Sequence, residues 1–227
     1  MSALTAAVSS QSTITDAAEA VAILVLLSEF AMLRAALSRS QVRLYAFQSL
    51  SVSALAVIVA ATRHIGDLYV LAGLSLVLKV IIVPAIVLRL LREVEGDLAG
   101  SHRLGVASMV LLAIALSVFG IFVVGTMPIH SKSLPVLAFA VAAAVILVAF
   151  LLVIVRSDVV SQAVGFFSLE NGVSVASLVL AAGLPLIAEV AFLFDLLVAV
   201  VVFGVLMRVH HGRTSTLSTR TLERLRG

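Results

Sequence analysis

The 227-residue chain has no cysteine and no tryptophan, only two tyrosines, and charged side chains at just 12% of positions. Without thiols it forms no disulfide, no thiolate zinc site and no cysteine-ligated iron–sulfur cluster, so any redox chemistry coupled to it resides in a partner or in a cofactor held otherwise. The scarcity of charge excludes more. Soluble domains carry about a quarter charged residues, whereas this chain is 62% hydrophobic with a mean hydropathy of +1.25. An ordinary water-soluble fold is ruled out. Gly-rich phosphate loops, nucleophile elbows and metalloprotease helix motifs are missing. His64, His102, His130, His210 and His211 fall in loops or at helix ends, and axial ligation of a transmembrane haem needs imidazoles inside helices. We therefore expect no catalytic centre, no cofactor and no metal in this chain, and no nucleic-acid partner.

Long apolar runs take the place of such motifs. A bilayer-spanning helix needs about 20 mostly apolar residues, and seven runs qualify, at 17–37, 42–62, 68–90, 104–125, 134–155, 159–181 and 185–207. Backbone groups in lipid must be satisfied internally, so each run predicts a helix. Arg34, Arg39 and Arg43 surround the first connection and Arg89, Arg92 and Arg103 the third; Arg156 lies in the fifth, and Arg208, Arg213, Arg220, Arg224 and Arg226 mark the tail. The alternate connections hold only Arg63 and Lys132. Short basic loops stay cytoplasmic. The expectation is an all-α polytopic integral membrane protein with seven transmembrane helices, N-terminus outside and C-terminus cytoplasmic, multi-pass in the plasma (inner) membrane. Residues 1–15 then form a short extracytoplasmic segment, 16–208 the transmembrane domain and 209–227 a basic cytoplasmic tail suited to anionic lipid. Tyr45 and Tyr69 are expected at the membrane interfaces.

A charge at mid-membrane costs at least about 2.5–3.5 kcal/mol on insertion scales, which makes buried ionisable groups functional candidates. Lys79, Glu170 and Asp195 each fall near the middle of a span. The short turn at 182–184 predicts an antiparallel hairpin that brings Glu170 and Asp195 to similar depth, where two carboxylates in low dielectric share a proton. That suits a proton relay; helix-to-helix hydrogen bonding is the plainer reading. In the sixth span, Ser161, Gly165, Ser168 and Gly172 form a small-residue stripe for close helix approach, with Glu170 on nearly the opposite face. Asn171 and Gln48 read as helix-to-helix hydrogen-bonding groups. Pro84 follows Lys79 by five residues and frees the Val80 carbonyl, predicting a kink beside a buried amine. Lys79 is expected to relay protons or to pair with Glu29, Glu170 or Asp195. Glu29 reads as a snorkelling partner of Arg34 near the cytoplasmic surface, or as a pathway residue. Glu189 is interfacial or forms the outer mouth of a path to Asp195.

Three stretches carry a resemblance: Val164-Gly165-Phe166-Phe167-Ser168-Leu169-Glu170-Asn171-Gly172, Gly183-Leu184-Pro185-Leu186-Ile187-Ala188-Glu189 and Phe194-Asp195-Leu196-Leu197-Val198-Ala199. With Tyr45-Ala46-Phe47-Gln48-Ser49-Leu50 and Lys79 before Pro84, they resemble the membrane component E of hydrogenase-4 and formate-hydrogenlyase-like complexes. The last three helices, from 134 to 208, look like the K subunit of respiratory complex I and the C subunit of Mrp-type cation/proton antiporters. The resemblance implies a non-catalytic membrane-arm subunit beside antiporter-like and other membrane subunits of an oxidoreductase complex. By motif, Glu170 takes the place of the glutamate in the K subunit's middle helix, and Asp195 that of the glutamate in its last helix. The first four helices have no counterpart there. Rival readings are a subunit of a multisubunit cation/proton antiporter, a stand-alone ion transporter, or a structural membrane spacer. No internal repeat of the kind common in transporters is visible.

Overall fold

The computed structural model describes residues 2–93, 104–128, 135–180 and 197–206, with side chains described from Thr15 onward and not for Glu93. The described residues form helices: α1 (Ser2–Arg34), α2 (Ser38–Arg63), α3 (Gly66–Ser75), a π-helical segment (Leu76–Ile82), α4 (Val83–Glu93), α5 (Val106–Gly125), α6 (Val136–Val155), α7 (Val159–Leu180) and a short apolar helix, α8 (Leu197–Leu206). Five helical stretches are long and apolar enough to cross a membrane: Ser38–Arg63, Gly66–Arg92, Val106–Gly125, Val136–Val155 and Val159–Leu180. The chain is an all-α polytopic membrane protein. Two of the seven expected spans fall outside that set. Helix α1 carries Asp16, Glu19, Glu29 and Arg34 in its described part and is too charged to qualify by composition; it also reaches back to Ser2, well before the expected start at residue 17. Of the seventh expected span only α8 is described, ten residues long.

Local chemistry sets the ends of the helices. His64 closes α2 in the left-handed region, at φ 55°, and its N–H bonds the Ala60 carbonyl. Asp158 caps α7: its carboxylate accepts from the Ser161 N–H at 2.7 Å, as N-terminal aspartates do. The third span is not a uniformly wound helix. From Leu76 to Ile82 it adopts π winding, in which the Val83 N–H reaches back five residues to the Leu78 carbonyl. Pro84 follows directly and has no N–H to give. The predicted disturbance next to Lys79 is thus a π segment, a distortion that recurs at functional sites.

Packing follows from small residues. Gly165 and Gly172 of α7 lie against α6: a Cβ on Gly165 would meet a Val153 methyl at 2.8 Å and the Val153 nitrogen at 3.2 Å, and one on Gly172 would meet Ile146 Cγ1 at 2.8 Å. The expected stripe is split among three neighbours, because its glycines face α6 and its serines face α1 and α2. Helices α2 and α7 run parallel and in register, joined by Gln41 to Ser161 and, seven residues on, by Gln48 to Ser168.

Two apolar cores result. One contains Met32, Leu33, Val42, Tyr45, Val83, Val164 and Phe167, the other Ala22, Val25, Val52, Leu55, Leu71, Val145 and Val175. Between them, halfway along the bundle, lies a layer of polar side chains. Tyr45 is not interfacial as expected; it is 1% exposed, with its ring 5.7 Å from that of Phe167, whereas Tyr69 is exposed. Tyr45 lies too far along α2, one turn short of the polar layer, to reach an interface.

Substituting Gly165 or Gly172 by Ala is expected to destabilise the α6–α7 pair by about 1–3 kcal/mol through overpacking, whereas Gly73→Ala, which meets nothing within 4 Å, is expected to be tolerated. Thermal melts of the detergent-solubilised protein followed by circular dichroism check this; equal melts for all three would contradict it.

Candidate functional site: a buried ion pair and its polar layer

Lys79 is the centre of the site. It lies thirteen residues from either end of the Gly66–Arg92 span and is 1% exposed. An ammonium at that depth needs a counter-charge and full hydrogen bonding. It has both: Lys79 Nζ is 2.8 Å from Glu170 Oε1, and it donates to Asn171 Oδ1 at 3.3 Å and to Ser174 Oγ at 3.2 Å. All three partners come from one stretch of α7, because residues one, three and four apart on a helix surround a side chain entering from a neighbour. Of the carboxylates weighed as partners for Lys79, Glu170 is the one found among the described residues.

The network continues sideways. Asn171 Nδ2 donates to Gln48 Oε1 at 3.0 Å and to Ser49 Oγ at 2.9 Å. Gln48 Nε2 in turn donates to Glu29 Oε2 at 2.8 Å and to the Val25 carbonyl at 3.2 Å, and Ser168 Oγ bonds both Gln48 Oε1 and Glu29 Oε2. Gln48 and Asn171 thus hydrogen-bond from helix to helix, linking α1, α2, α7 and the third span. Glu29 does not snorkel toward Arg34, the first of the two readings weighed for it: it is 0% exposed and points into the bundle, whereas Arg34 is exposed. The five-residue spacing turns the two side chains to different faces of α1, and the amide of Gln48 and hydroxyl of Ser168 take the role expected of Arg34. Glu189 and Asp195 lie outside the described residues, and with them the expected pairing of Asp195 with Glu170.

A cavity opens on one side of the ion pair. It offers about 40 Å³ to the centres of water molecules, and a water takes roughly 10–15 Å³ by that measure, so a few fit. Lys79 and Glu170 lie at its inner end. Its other walls are Val52, Ser53 and Ala56 beyond Gln48 in α2, Leu71, Ala72 and Ser75 before Lys79, and Ser174, Ser177 and Leu178 after Glu170. These helices run antiparallel about Lys79, so every one of those residues lies toward the same end of the bundle, the end marked by Arg63 and Leu180. Toward the other end the pair meets the Asn171–Gln48 amides and then the apolar layer of Tyr45, Val164 and Phe167. Among the described residues, this cavity reaches the pair from one direction.

A second buried polar group had only a faint signal in the sequence. Arg156, marked there as a loop charge, is 0% exposed and its Nη2 donates to the Leu33 and Ala35 carbonyls, both at 2.8 Å. Burial pulls its guanidinium below the ordinary range, and Asp158 opposes that pull; the group stays charged. It satisfies carbonyls that the end of α1 leaves open. Gln41, spaced seven residues from Gln48 as Ser161 is from Ser168, was the visible hint of a second polar layer at this level.

Comparison with known proteins gives distant relatives. No family model matches the chain, and no solved structure matches it. An uncharacterized protein of Mycobacterium tuberculosis is 29% identical over 169 residues, covering 74% of this chain and 77% of the relative. Hydrogenase-4 component E of Escherichia coli K12 and that of Shigella flexneri are each 26% identical over 183 residues, covering 81% of this chain and 85% of the relative. The chain is distantly related to hydrogenase-4 component E. Three of the stretches that carry the resemblance converge in space: Gln48 and Ser49 from one, Lys79 from another, and Ser168, Glu170 and Asn171 from a third form a single layer.

Breaking a buried pair by removing one partner costs about 3–5 kcal/mol, while replacing both is nearly neutral. Lys79→Met and Glu170→Gln are each expected to lower stability by that order, and the double variant to recover most of it; thermal melts that add without recovery would show that the two groups are not coupled. Because the chain has no cysteine, an introduced thiol is a clean probe of the cavity. Ser177→Cys is expected to react with a membrane-impermeant maleimide and Val164→Cys, in the apolar layer, not to react; equal labelling would contradict one-sided access.

Proposed function

We propose that this chain is a non-catalytic membrane-arm subunit of an oxidoreductase complex of the hydrogenase/complex I type, and that it contributes to proton translocation. The observation that carries the reading is the Lys79–Glu170 pair, set midway along the bundle at the inner end of a water-sized cavity, in a chain distantly related to hydrogenase-4 component E. A lysine–glutamate pair at such a place changes its charge distribution without leaving a net buried charge. When a proton enters from the cavity onto Glu170, the ammonium loses its counter-charge and its own proton becomes easier to release. Glu170 and Lys79 are thus the proposed proton carriers, with Asn171 and Ser174 holding the amine in place. Asp195 is the further carboxyl of the proposal on its position in the sequence, and Glu189 the outer mouth.

The proposed setting is the plasma (inner) membrane, with the N-terminus outside, the basic tail in the cytoplasm, and antiporter-like membrane subunits as neighbours. The cavity then opens to the outer face. Metal and haem chemistry belong to the partners in this reading, and this chain supplies helices, a buried charge pair and a water path.

The test begins with purification in mild detergent through a tag on the tail. Co-purification of antiporter-like subunits with a metal-cluster module is the expected result; antiporter-like subunits alone would move the assignment to a cation/proton antiporter, and a chain that comes through with no other membrane subunit would overturn it. In the assembled complex, Glu170→Gln is expected to slow coupled proton transfer by roughly 10²-fold, the lower end of what a positioned proton-transfer group contributes, with subunit composition unchanged. Unimpaired proton transfer in that variant would leave the subunit a structural spacer.

A further inference from the structure

Glu29 is used by nothing proposed above, yet its surroundings determine where the hydrogens of the polar layer lie. Lys79 has donors only, so the atom of Asn171 facing it is Oδ1 and the amide nitrogen points to Gln48 Oε1. The Val25 carbonyl can only accept, so the atom of Gln48 facing it is Nε2, which also donates to Glu29 Oε2. Both amide orientations are thus fixed independently, and both leave Gln48 Oε1 as an acceptor.

Ser168 then presents a count that does not close with a carboxylate. Its Oγ bonds Glu29 Oε2 and is 2.9 Å from Gln48 Oε1. A hydroxyl carries one hydrogen. If that hydrogen goes to Glu29, two oxygens face each other across the Ser168–Gln48 contact with nothing between them. If Glu29 carries a proton on Oε2, that proton goes to Ser168, the Ser168 hydrogen goes to Gln48, and every contact has its donor. A second feature agrees. Glu29 Oε1 is buried with no hydrogen-bond partner among the described residues, a heavy cost for a charged carboxylate oxygen and a small one for the carbonyl oxygen of an acid. The charged group nearest along the network, Lys79, makes its bonds to Glu170, Asn171 and Ser174.

We infer that Glu29 is a proton-binding site, filled in this structure, whose occupancy is sensed by the Lys79–Glu170 pair through Gln48 and Asn171. Primary amides do not pass protons on without becoming imidic acids, so Gln48 and Asn171 transmit polarisation, and Glu29 stores a proton next to the pair. Loss of that proton turns the Ser168 hydroxyl toward Glu29, places a negative charge on the acceptor of Gln48 Nε2 and leaves Gln48 Oε1 to the Asn171 donor, which strengthens the Asn171 hydrogen bond and with it the hold of Oδ1 on Lys79. This deepens the reading of the layer as a proton site but stands on its own count of hydrogens; it holds whether or not the Lys79–Glu170 pair conducts.

The experiment is infrared difference spectroscopy on the full chain in phosphatidylethanolamine–phosphatidylglycerol vesicles at neutral pH. Wild type minus Glu29→Gln is expected to show the C=O band of a protonated carboxyl, and Ser168→Ala to shift that band by removing its hydrogen bond. A difference spectrum with carboxylate bands in place of the acid band overturns the inference. If Glu29→Gln does not fold, Ser168→Ala decides: a displaced acid band supports the site and an unmoved one overturns it. Loss of proton transfer in Glu170→Gln, measured separately, leaves this spectrum as it is, so the two readings fail independently.

Discussion

A single ammonium at the centre of an apolar bundle dictates the rest of this structure. Lys79 is as far from both ends of its span as a residue can be, and at that depth neither snorkelling nor hydration relieves it. Its charge must be answered from a neighbouring helix. Glu170 does so, but a carboxylate alone leaves donors of the amine unsatisfied, and Asn171 and Ser174 take them. Asn171 then has its own nitrogen to satisfy, which draws in Gln48 and Ser49, and Gln48 draws in Glu29. Each polar group is explained by the one before it, and the layer ends where the last hydrogen is placed.

Helix α7 is polar on three sides as a result. Its glycines admit α6, its serines bind α1 and α2, and Glu170 with Ser174 faces the third span. The two apolar cores on either side of the layer keep water out except along the cavity, and a low dielectric strengthens every interaction within it. The π winding around Lys79 belongs to the same arrangement, since the third span must present the amine to α7 just before a proline that cannot continue the backbone bonding.

Much of this was legible in the sequence, for a physical reason: a charge in the middle of a 20-residue apolar run has no reason to be there unless it is partnered. Lys79, Glu170, Gln48 and Asn171 all announced themselves in this way, and the glycines at 165 and 172 announced a close approach. Partner choice was not legible. Glu29 lies five residues from an arginine, and linear proximity favoured that arginine; only the rotation of α1 shows that the two diverge. Tyr45 looked interfacial because its distance to the helix end was counted along the chain, whereas its burial depends on α7. Arg156 looked like a topology marker, because a loop charge and a buried clamp on helix-end carbonyls have the same composition. The seven-run count took 17–37 on its apolar length, whereas the described part of α1 carries Asp16, Glu19, Glu29 and Arg34 and is too charged to qualify as a span by composition.

The register between α2 and α7 has a mechanical consequence. Gln41 meets Ser161 and Gln48 meets Ser168, so two parallel rods are pinned at points seven residues, roughly 10 Å, apart. One pin would permit a swivel; two resist both swivelling and sliding, since a slip by one helical turn breaks both at once. The glycine contacts with α6 extend this frame to a third rod. The span bearing Lys79 packs along α2 of this frame, presents its amine to α7 and is wound as a π-helix over the same turns. The two charges are thereby divided between unlike neighbours, with the doubly pinned frame supplying the carboxylate and the π-wound span supplying the amine.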